Sequence, residues 1–333
     1  MNLLVTGATG FIGLNLVRYI CRQGYRLRVF CRPTSDVSGL LDQPVRIAYG
    51  DIQDPSSVDQ AAGGCDYIFH LAGYARNWAR DPEVFYRVNV AGTRNVLQAA
   101  RKAKVKKVVI TSTSMTLGPS RGKPQAETSD RMGDFFCDYE RTKFYAEQLV
   151  ADFVKDGLPV VLVHPTRVFG PGLITEGNTV TKMIQLYLKR KWRLILGDGS
   201  AVGNYAFVED VVQGHWLALQ KGQPGEKYVL GGESLSYNAF FDILAELSHR
   251  HYRMVHVPLW MAIVFSKVEI ALARTIGIYP LITPDWVRVF VRDWDFSSEK
   301  AQKELGYRIT PFREALQKTL AWINQKKNLS DGS

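Results

Sequence analysis

The chain is short of cysteine and short of acid. Cys21, Cys31, Cys65 and Cys137 are the only cysteines in 333 residues. They are scattered, with no Cys-x-x-Cys pair and no histidine cluster at zinc spacing, which excludes a disulfide scaffold and fits a reducing, cytoplasmic setting without a structural metal. The sequence also lacks a run fit to span a bilayer: its most apolar stretch, Val255 to Ile278, is broken by Pro258, Lys267, Glu269 and Arg274, and reads as an amphipathic helix. The opening residues Asn2-Leu3-Leu4-Val5-Thr6 carry no basic segment, apolar h-region or cleavage site, so no secretory signal is expected. With 46% hydrophobic residues, 28 Gly and 14 Pro, collagen-like and disordered classes are excluded. The length predicts a core domain plus a smaller one. The acid deficit, 32 Asp+Glu against 42 Lys+Arg for a net +10, points to nucleic acid, an anionic membrane surface, or an anionic cofactor and substrate.

Up to about Thr166 the chain alternates short β-branched runs with helix-period segments. The runs Leu3 to Thr6, Leu27 to Cys31, Val45 to Ala48, Tyr67 to Leu71, Val108 to Thr111 and Val160 to Val163 predict strands. Between them Phe11 to Gln23, Ser56 to Ala62, Val84 to Ala103 and Phe135 to Lys155 predict helices. Continuous apolar runs are what parallel strands covered on both faces require, so an open, doubly wound α/β sheet is expected. After Pro165 come Gly/Pro-rich loops and then helix-period sequence at Asn238 to Leu247, Leu259 to Thr275, Asp285 to Arg292 and Phe312 to Ile323. This predicts a cofactor domain over 1–165, with 206–230 returning to it through the strand-like Tyr228-Val229-Leu230. A mainly helical substrate lobe follows from 166–205 and 231–323, with a frayed polar tail over 324–333.

Thr6-Gly7-Ala8-Thr9-Gly10-Phe11-Ile12-Gly13 joins the first strand to the first helix. Gly7 permits a tight turn, Gly10 lets backbone amides approach a pyrophosphate, and Gly13 allows close helix–sheet packing, so Thr9, Phe11 and Ile12 line a dinucleotide site. At the end of the second strand, where an NAD-preferring site places a carboxylate, the sequence reads Cys31-Arg32-Pro33-Thr34-Ser35. Arg32 with the Ser35 hydroxyl suits a 2′-phosphate, which predicts NADP(H) over NAD(H); the alternative is a solvated loop arginine. In Gly50-Asp51-Ile52, Asp51 is either an adenine acceptor beside Ile52 or a turn-former.

Tyr139-Glu140-Arg141-Thr142-Lys143 sets a phenol and an ammonium on one helix face. A nearby cation is expected to lower the phenol's pKa from its ordinary value, making Tyr139 a general acid or base for a carbonyl oxygen. The fifth strand ends in Thr111-Ser112-Thr113-Ser114, hydroxyls at the sheet edge where ligands bind.

Together with His70-Leu71-Ala72-Gly73, Asn89-Val90-Ala91-Gly92-Thr93 and His164-Pro165-Thr166-Arg167-Val168-Phe169-Gly170-Pro171-Gly172, these motifs resemble the extended (atypical) short-chain dehydrogenase/reductases of the NAD-dependent epimerase/dehydratase superfamily. Arg32, Gly231-Gly232-Glu233 and the stretch from Phe296 to Tyr307 resemble its dihydroflavonol 4-reductase-like branch, which includes hopanoid-associated sugar epimerases. The 3β-hydroxysteroid dehydrogenases are similar in outline. The resemblance implies that the catalytic hydroxyl is Thr113, counted back from Gly118, with Ser112 as the fallback. It implies that Lys143 also bonds the nicotinamide ribose, that Pro165, Thr166 and Val168 flank the nicotinamide, and that Leu71, Ala72, Gly73 and Thr111 lie along the cofactor. His70 is then a packed or hydrogen-bonded strand residue.

Two departures bear on the chemistry. Ser114-Met115 follow Thr113 where family dehydratases carry an acid pair, so sugar dehydration is not expected. Gly203 stands where nucleotide-sugar epimerases offer an arginine, although Arg167, Lys182 or Arg193 could substitute. Aromatics are plentiful instead: Tyr74, Trp78, Phe135, Phe169 and Tyr205 are candidate substrate contacts, with Phe85, Phe136 and Trp192 behind them. The expected activity is reversible carbonyl reduction of a cyclic or apolar small molecule. The alternatives are sugar epimerisation by transient oxidation and a non-catalytic NADP-binding regulator, the latter opposed by the intact Tyr/Lys pair.

No nucleic-acid module is present, and the basic run Lys102 to Lys107 reads as a solvated helix end. The Leu259 to Thr275 helix is expected to pack in the core, with peripheral membrane contact or a pocket wall as alternatives. His249, His251 and His256 lack a carboxylate cluster for metal binding. A homodimer through the Val84 to Ala103 and Phe135 to Lys155 helices is implied by the resemblance.

Overall fold

The computed structural model describes residues 1–331 apart from Asp130, Met132 and Ile278. The first half alternates as β1 (Leu3–Thr6), α1 (Phe11–Arg22), β2 (Leu27–Cys31), β3 (Val45–Tyr49), α2 (Pro55–Ala62), β4 (Tyr67–His70), α3 (Glu83–Tyr86), α4 (Gly92–Lys102), β5 (Lys107–Thr111), α5 (Asp138–Lys155) and β6 (Val160–Pro165). The second half runs β7 (Arg167–Phe169), α6 (Thr179–Leu188), β8 (Leu194–Leu196), β9 (Val202–Phe207), α7 (Val208–Lys221), β10 (Lys227–Leu230), β11 (Glu233–Ser236), α8 (Tyr237–Ser248), β12 (Val255–Val257), α9 (Leu259–Ile276), α10 (Pro284–Phe290) and α11 (Phe312–Asp331).

Seven parallel strands form the main sheet in the order β10-β6-β5-β4-β1-β2-β3. β1 pairs with β2 on one side and β4 on the other, so the strand order reverses there and opens a crevice at the carboxyl edge. The strands read as unbroken apolar runs because both faces are covered. Val5, Phe69, Val109 and Val161 pack under α1 and α7, while Leu4, Ile68, Val108 and Leu162 pack under α2, α4 and α5. Trp216 of α7 centres the first layer, with its ring against Tyr19, Tyr25 and Phe69.

The expected helix over Val84 to Ala103 is continuous but contains a π-helical turn, Arg87–Ala91. The segment Tyr228-Val229-Leu230 lies in β10, the edge strand beside β6. The second lobe is mainly helical, as expected, and two small sheets, β11-β9-β7 and β12-β8, thread among its helices. Its core is aromatic, with Phe169, Tyr187, Tyr205, Phe240 and Phe312 buried together. The tail expected to fray continues α11 as helix to Asp331, and Gly332 and Ser333 lie outside the described residues. Asn324, Gln325 and Lys326 in this segment are exposed, as a solvated helix end requires.

One expectation is overturned. α9 does not pack in the core: it buries only Ala262, Ser266 and Ala273, and leaves Trp260, Val264, Phe265, Val268 and Ile276 exposed. Small side chains sit on the covered face and large ones point outward, the reverse of ordinary amphipathic packing.

Because Trp216 is buried against three rings from α1, β4 and the turn between α1 and β2, Trp216→Ala should cost about 3–5 kcal/mol. Urea unfolding should show a lower midpoint with an unchanged slope.

Candidate active site

The β1–α1 turn is pressed against the end of β4. Gly7 has φ +71°, and a Cβ there would stand 2.6 Å from the Leu71 carbonyl carbon and the Ala72 nitrogen. At Gly13 a Cβ would lie 2.1 Å from the Gly7 carbonyl oxygen. Side chains are thus excluded where the backbone must close on a ligand. Gly10 caps α1 in an extended conformation without a side-chain cap, so the first-turn amides beside Thr9, Phe11 and Ile12 keep their donors for an anion. This cradle fits the pyrophosphate of a dinucleotide. Arg32 is exposed at the end of β2 and has no ion-pair partner among the described residues, and its carbonyl accepts from the Ser35 amide at 2.9 Å. Asp51 folds back on itself: its Oδ1 accepts from the Gln53 amide at 2.8 Å and from Gln53 Nε2 at 3.3 Å. The Ile52 side chain packs at the start of α4 over Gly92.

Leu71, Ala72 and Gly73 are held by a buried network. Ala72 donates its amide to Thr6 Oγ1 at 3.2 Å, and Thr6 Oγ1 meets His70 Nδ1 at 2.8 Å. His70 Nε2 meets Thr93 Oγ1 at 3.0 Å, and Thr93 donates to the Asn89 carbonyl at 2.7 Å. Since Thr93 spends its proton on Asn89, His70 must donate from Nε2 and accept at Nδ1. Burial, then the Lys143 charge, pull His70 down to about 3, so it stays neutral and holds the strand end. Asn89, in the π turn, accepts from the Tyr74 amide at 2.7 Å and donates to Thr142 Oγ1 at 3.0 Å. It ties the cofactor loop to α5.

α5 carries Tyr139 in its first turn and Lys143 one turn later. Cys137 caps the helix, and Glu140, buried and paired with Arg131 at 2.8 Å, accepts from the Phe136 amide at 2.7 Å. Tyr139 is half-buried, and its phenol neighbours the Thr113 hydroxyl. Burial pushes it up to about 12, with the Thr113 bond opposing. Desolvation dominates at this phenol, and the Lys143 ammonium is directed elsewhere, donating to the Thr111 carbonyl at 2.7 Å. Burial brings Lys143 down to about 8, with Glu147 opposing.

The strand-end hydroxyls divide their work. Thr111 Oγ1 turns away to His215 Nε2 of α7 at 2.8 Å, and only the Thr111 carbonyl faces Lys143. Ser112 donates to Glu147 Oε1 at 2.5 Å. That leaves Thr113, not Ser112, beside Tyr139. Glu147 was missing from the sequence reading although it continues the 139/143 spacing by four. It is buried, and it also takes His164 Nε2 at 2.9 Å and Lys227 Nζ at 2.7 Å. Burial pushes its carboxyl up, yet His164 and Lys227 outweigh this and hold it well below the usual carboxylate range.

On the substrate side, Pro165 ends β6, Thr166 has a buried hydroxyl without a partner, and Val168 is core. Tyr74 packs edge-on against Phe85, and Trp78 against Tyr279. Phe135 lies under the Arg131 guanidinium and beside Phe144, on the flank of α5. Phe169 and Tyr205 are not brought to the crevice: both are fully buried against Phe312 in the second-lobe core. Trp192 is exposed on the distant β8 segment. On the turn that follows Thr113, Met115 and Leu117 pack with Phe136, Trp286, Val289 and Trp294 in a small apolar cluster.

Arg167 has no carboxylate partner among the described residues. Its guanidinium is stacked among Tyr205, Tyr237 and Phe290, Nη1 donates to the Tyr237 hydroxyl at 2.6 Å, and Nη2 is buried without a partner. A Cβ on Gly203 would lie 2.5 Å from Nη1, so this cation fills the space that a Gly203 side chain would enter.

Glu147→Gln should leave Lys227 and His164 facing a neutral amide and cost about 3–5 kcal/mol. The carboxyl's pKa is depressed on folding, so its contribution is complete above the ordinary value of 4.5 and is lost as pH falls below it. Denaturation from pH 7 to pH 3 should show the variant's deficit shrinking toward the acid end.

The family model described as the NAD dependent epimerase/dehydratase family matches residues 3–231. The chain is 32% identical to "Putative dihydroflavonol 4-reductase" of Synechocystis sp., over 96% of this chain and 93% of that protein. It is 31% identical to sterol demethylase protein B of Methylococcus capsulatus, covering 98% and 99%. It is 28% identical to the decarboxylating sterol-4-alpha-carboxylate 3-dehydrogenase of Mus musculus, covering 95% and 89%. Among solved structures it superposes on gox2253 with a TM-score of 0.83 at 34% identity, covering 97% and 98%. With a glycine cradle at a strand crossing and a Thr/Tyr/Lys set beside it, the chain belongs to the NAD dependent epimerase/dehydratase family and is an extended short-chain dehydrogenase/reductase enzyme.

Proposed function

We propose that this enzyme reversibly reduces a ketone on a cyclic or apolar small molecule, using NADP(H). The observation that carries the reading is the Thr113–Tyr139 pair with Lys143 one helical turn on, followed in the chain by the apolar cluster of Met115, Leu117, Phe136 and Trp286. A bound dihydronicotinamide supplies the hydride. Thr113 and Tyr139 would together hold the carbonyl oxygen as charge develops on it. A phenol raised to about 12 is protonated throughout the physiological range, the form that donates a proton to the nascent alkoxide. Lys143, pinned to the Thr111 carbonyl, stands one helical turn away, and below about 8 it adds positive charge beside the cofactor site. The relatives named as a reductase and a sterol dehydrogenase support an apolar ring ketone as substrate.

A second reading, sugar epimerisation by transient oxidation, is favoured by one observation. Of the basic residues that could substitute for the arginine absent at Gly203, Arg167 lies directly against that position. Cofactor consumption separates the two, because an epimerase uses none stoichiometrically.

A screen of cyclic ketones, flavanonols, steroids and nucleotide sugars with NADPH and NADH should show stoichiometric oxidation of NADPH by an apolar ketone. Tyr139→Phe should then lose about 10²–10⁴-fold in rate while NADPH titration stays unchanged; retained turnover refutes the assignment. Arg32 is the exposed guanidinium assigned to the 2′-phosphate. Arg32→Ala should raise the Kd for NADPH about tenfold or more and leave that for NADH unaltered; equal effects on both would remove the NADP preference.

A further inference from the structure

The exposed face of α9 gathers more of the exposed large hydrophobic side chains than any other element among the described residues. At about 100° per residue, Trp260, Met261, Val264, Phe265, Val268 and Leu272 share one outward arc without a charge, opposite the buried Ala262, Ser266 and Ala273. Lys267 and Arg274 run along one margin of this arc. Glu269, on the other margin, accepts from the Leu281 amide at 2.9 Å. The apolar surface continues upstream, where Val255 and Leu194, register partners in β12 and β8, are 51% and 54% exposed.

Charge is concentrated on the same edge. The segments 176–198 and 246–285 meet at the β8–β12 pairing and carry nine Lys/Arg against five Asp/Glu, a net charge of +4. Lys189, Arg190, Lys191, Arg250, Arg253, Lys267 and Arg274 are exposed, and none forms an ion pair among the described residues. A second copy docked face to face would bring two such edges together and be repelled. An anionic surface with an apolar interior matches both properties at once.

We infer that α9 and the β8–β12 edge dock this protein on an anionic lipid bilayer, with α9 lying in the plane of the interface. No described helix is long and apolar enough to cross a membrane, and α9, with Lys267, Glu269 and Arg274 within it, rests on the bilayer rather than spanning it. The docked face adjoins the active-site side of the molecule. Tyr279, just past α9, packs against Trp78 at 5.9 Å and under Arg76, on the loop that leaves β4 with the cofactor contacts. An apolar substrate dissolved in the bilayer would meet the crevice from that side. This last step rests on the ketone reading of the previous section; the docking does not.

The full chain is tested by sedimentation with phosphatidylcholine vesicles, with and without phosphatidylserine. Wild type should sediment with the phosphatidylserine vesicles, be released by high salt, and show a blue-shifted tryptophan emission when bound. Val264→Glu/Phe265→Glu should lower vesicle affinity at least about tenfold with an unchanged thermal midpoint. Lys189→Glu/Lys191→Glu should also weaken binding and flatten its salt dependence. Wild type that stays in solution with both vesicles overturns the inference, as does a Val264→Glu/Phe265→Glu variant that binds like wild type. A dimer that those two glutamates split, without vesicle binding, assigns the face to a second copy instead. Vesicle binding that survives in a chain inactive toward every apolar ketone separates the docking from the reductase reading.

Discussion

A buried carboxylate holds the catalytic edge of the sheet together. Glu147 lies where β5, β6, β10 and α5 meet, and it draws a donor from each strand: Ser112 past the end of β5, His164 in β6 and Lys227 in β10. An isolated carboxylate at that depth would be protonated or excluded, so the three donors are the condition on which α5 can lie against the sheet at all. The Thr113–Tyr139 contact and the Lys143–Thr111 bond both inherit that placement. The position of the groups proposed to be catalytic is thus set one turn behind them, by Glu147.

The same constraint explains which hydroxyl is available. Four Ser/Thr residues crowd the end of β5, and sequence position alone distinguishes them only by counting. The structure distinguishes them by occupation: Thr111 is spent on His215, Ser112 on Glu147, and Thr113 is left beside the phenol. Elsewhere the charge logic is similar. Arg167 is stacked among three rings, has no carboxylate partner among the described residues, and keeps one buried nitrogen without a hydrogen-bond partner.

Much of the main sheet was legible in the residues because its strands are buried on both faces and so read as unbroken apolar runs, Leu3 to Thr6 and Val160 to Val163 among them. The glycines at 7, 10 and 13 were legible because no other residue fits two of those backbone approaches, and Tyr139 and Lys143 because a helix repeats every four residues. The rest depends on partners distant in sequence. Glu147 is silent until folding brings Lys227 within 2.7 Å. Phe169 and Tyr205 are aromatics like any others until the second lobe closes over them. The three-residue strands β7, β8 and β12 are too short to show a period, and they exist by pairing. The exposed face of α9 has a core-like composition, and composition cannot say which side of a helix finds a partner.

The π turn at Arg87–Ala91 separates two helical phases within one continuous helix. Ahead of it, Phe85 faces Tyr74 and the loop that leaves β4; beyond it, Val96 and Leu97 face the sheet. A regular α-helix advances about 100° per residue and would tie those two faces to one another. The extra residue in the turn uncouples them, so the substrate-side end of the helix can be reshaped by evolution while the sheet-side end keeps its register, with Asn89 at the joint as the fixed point.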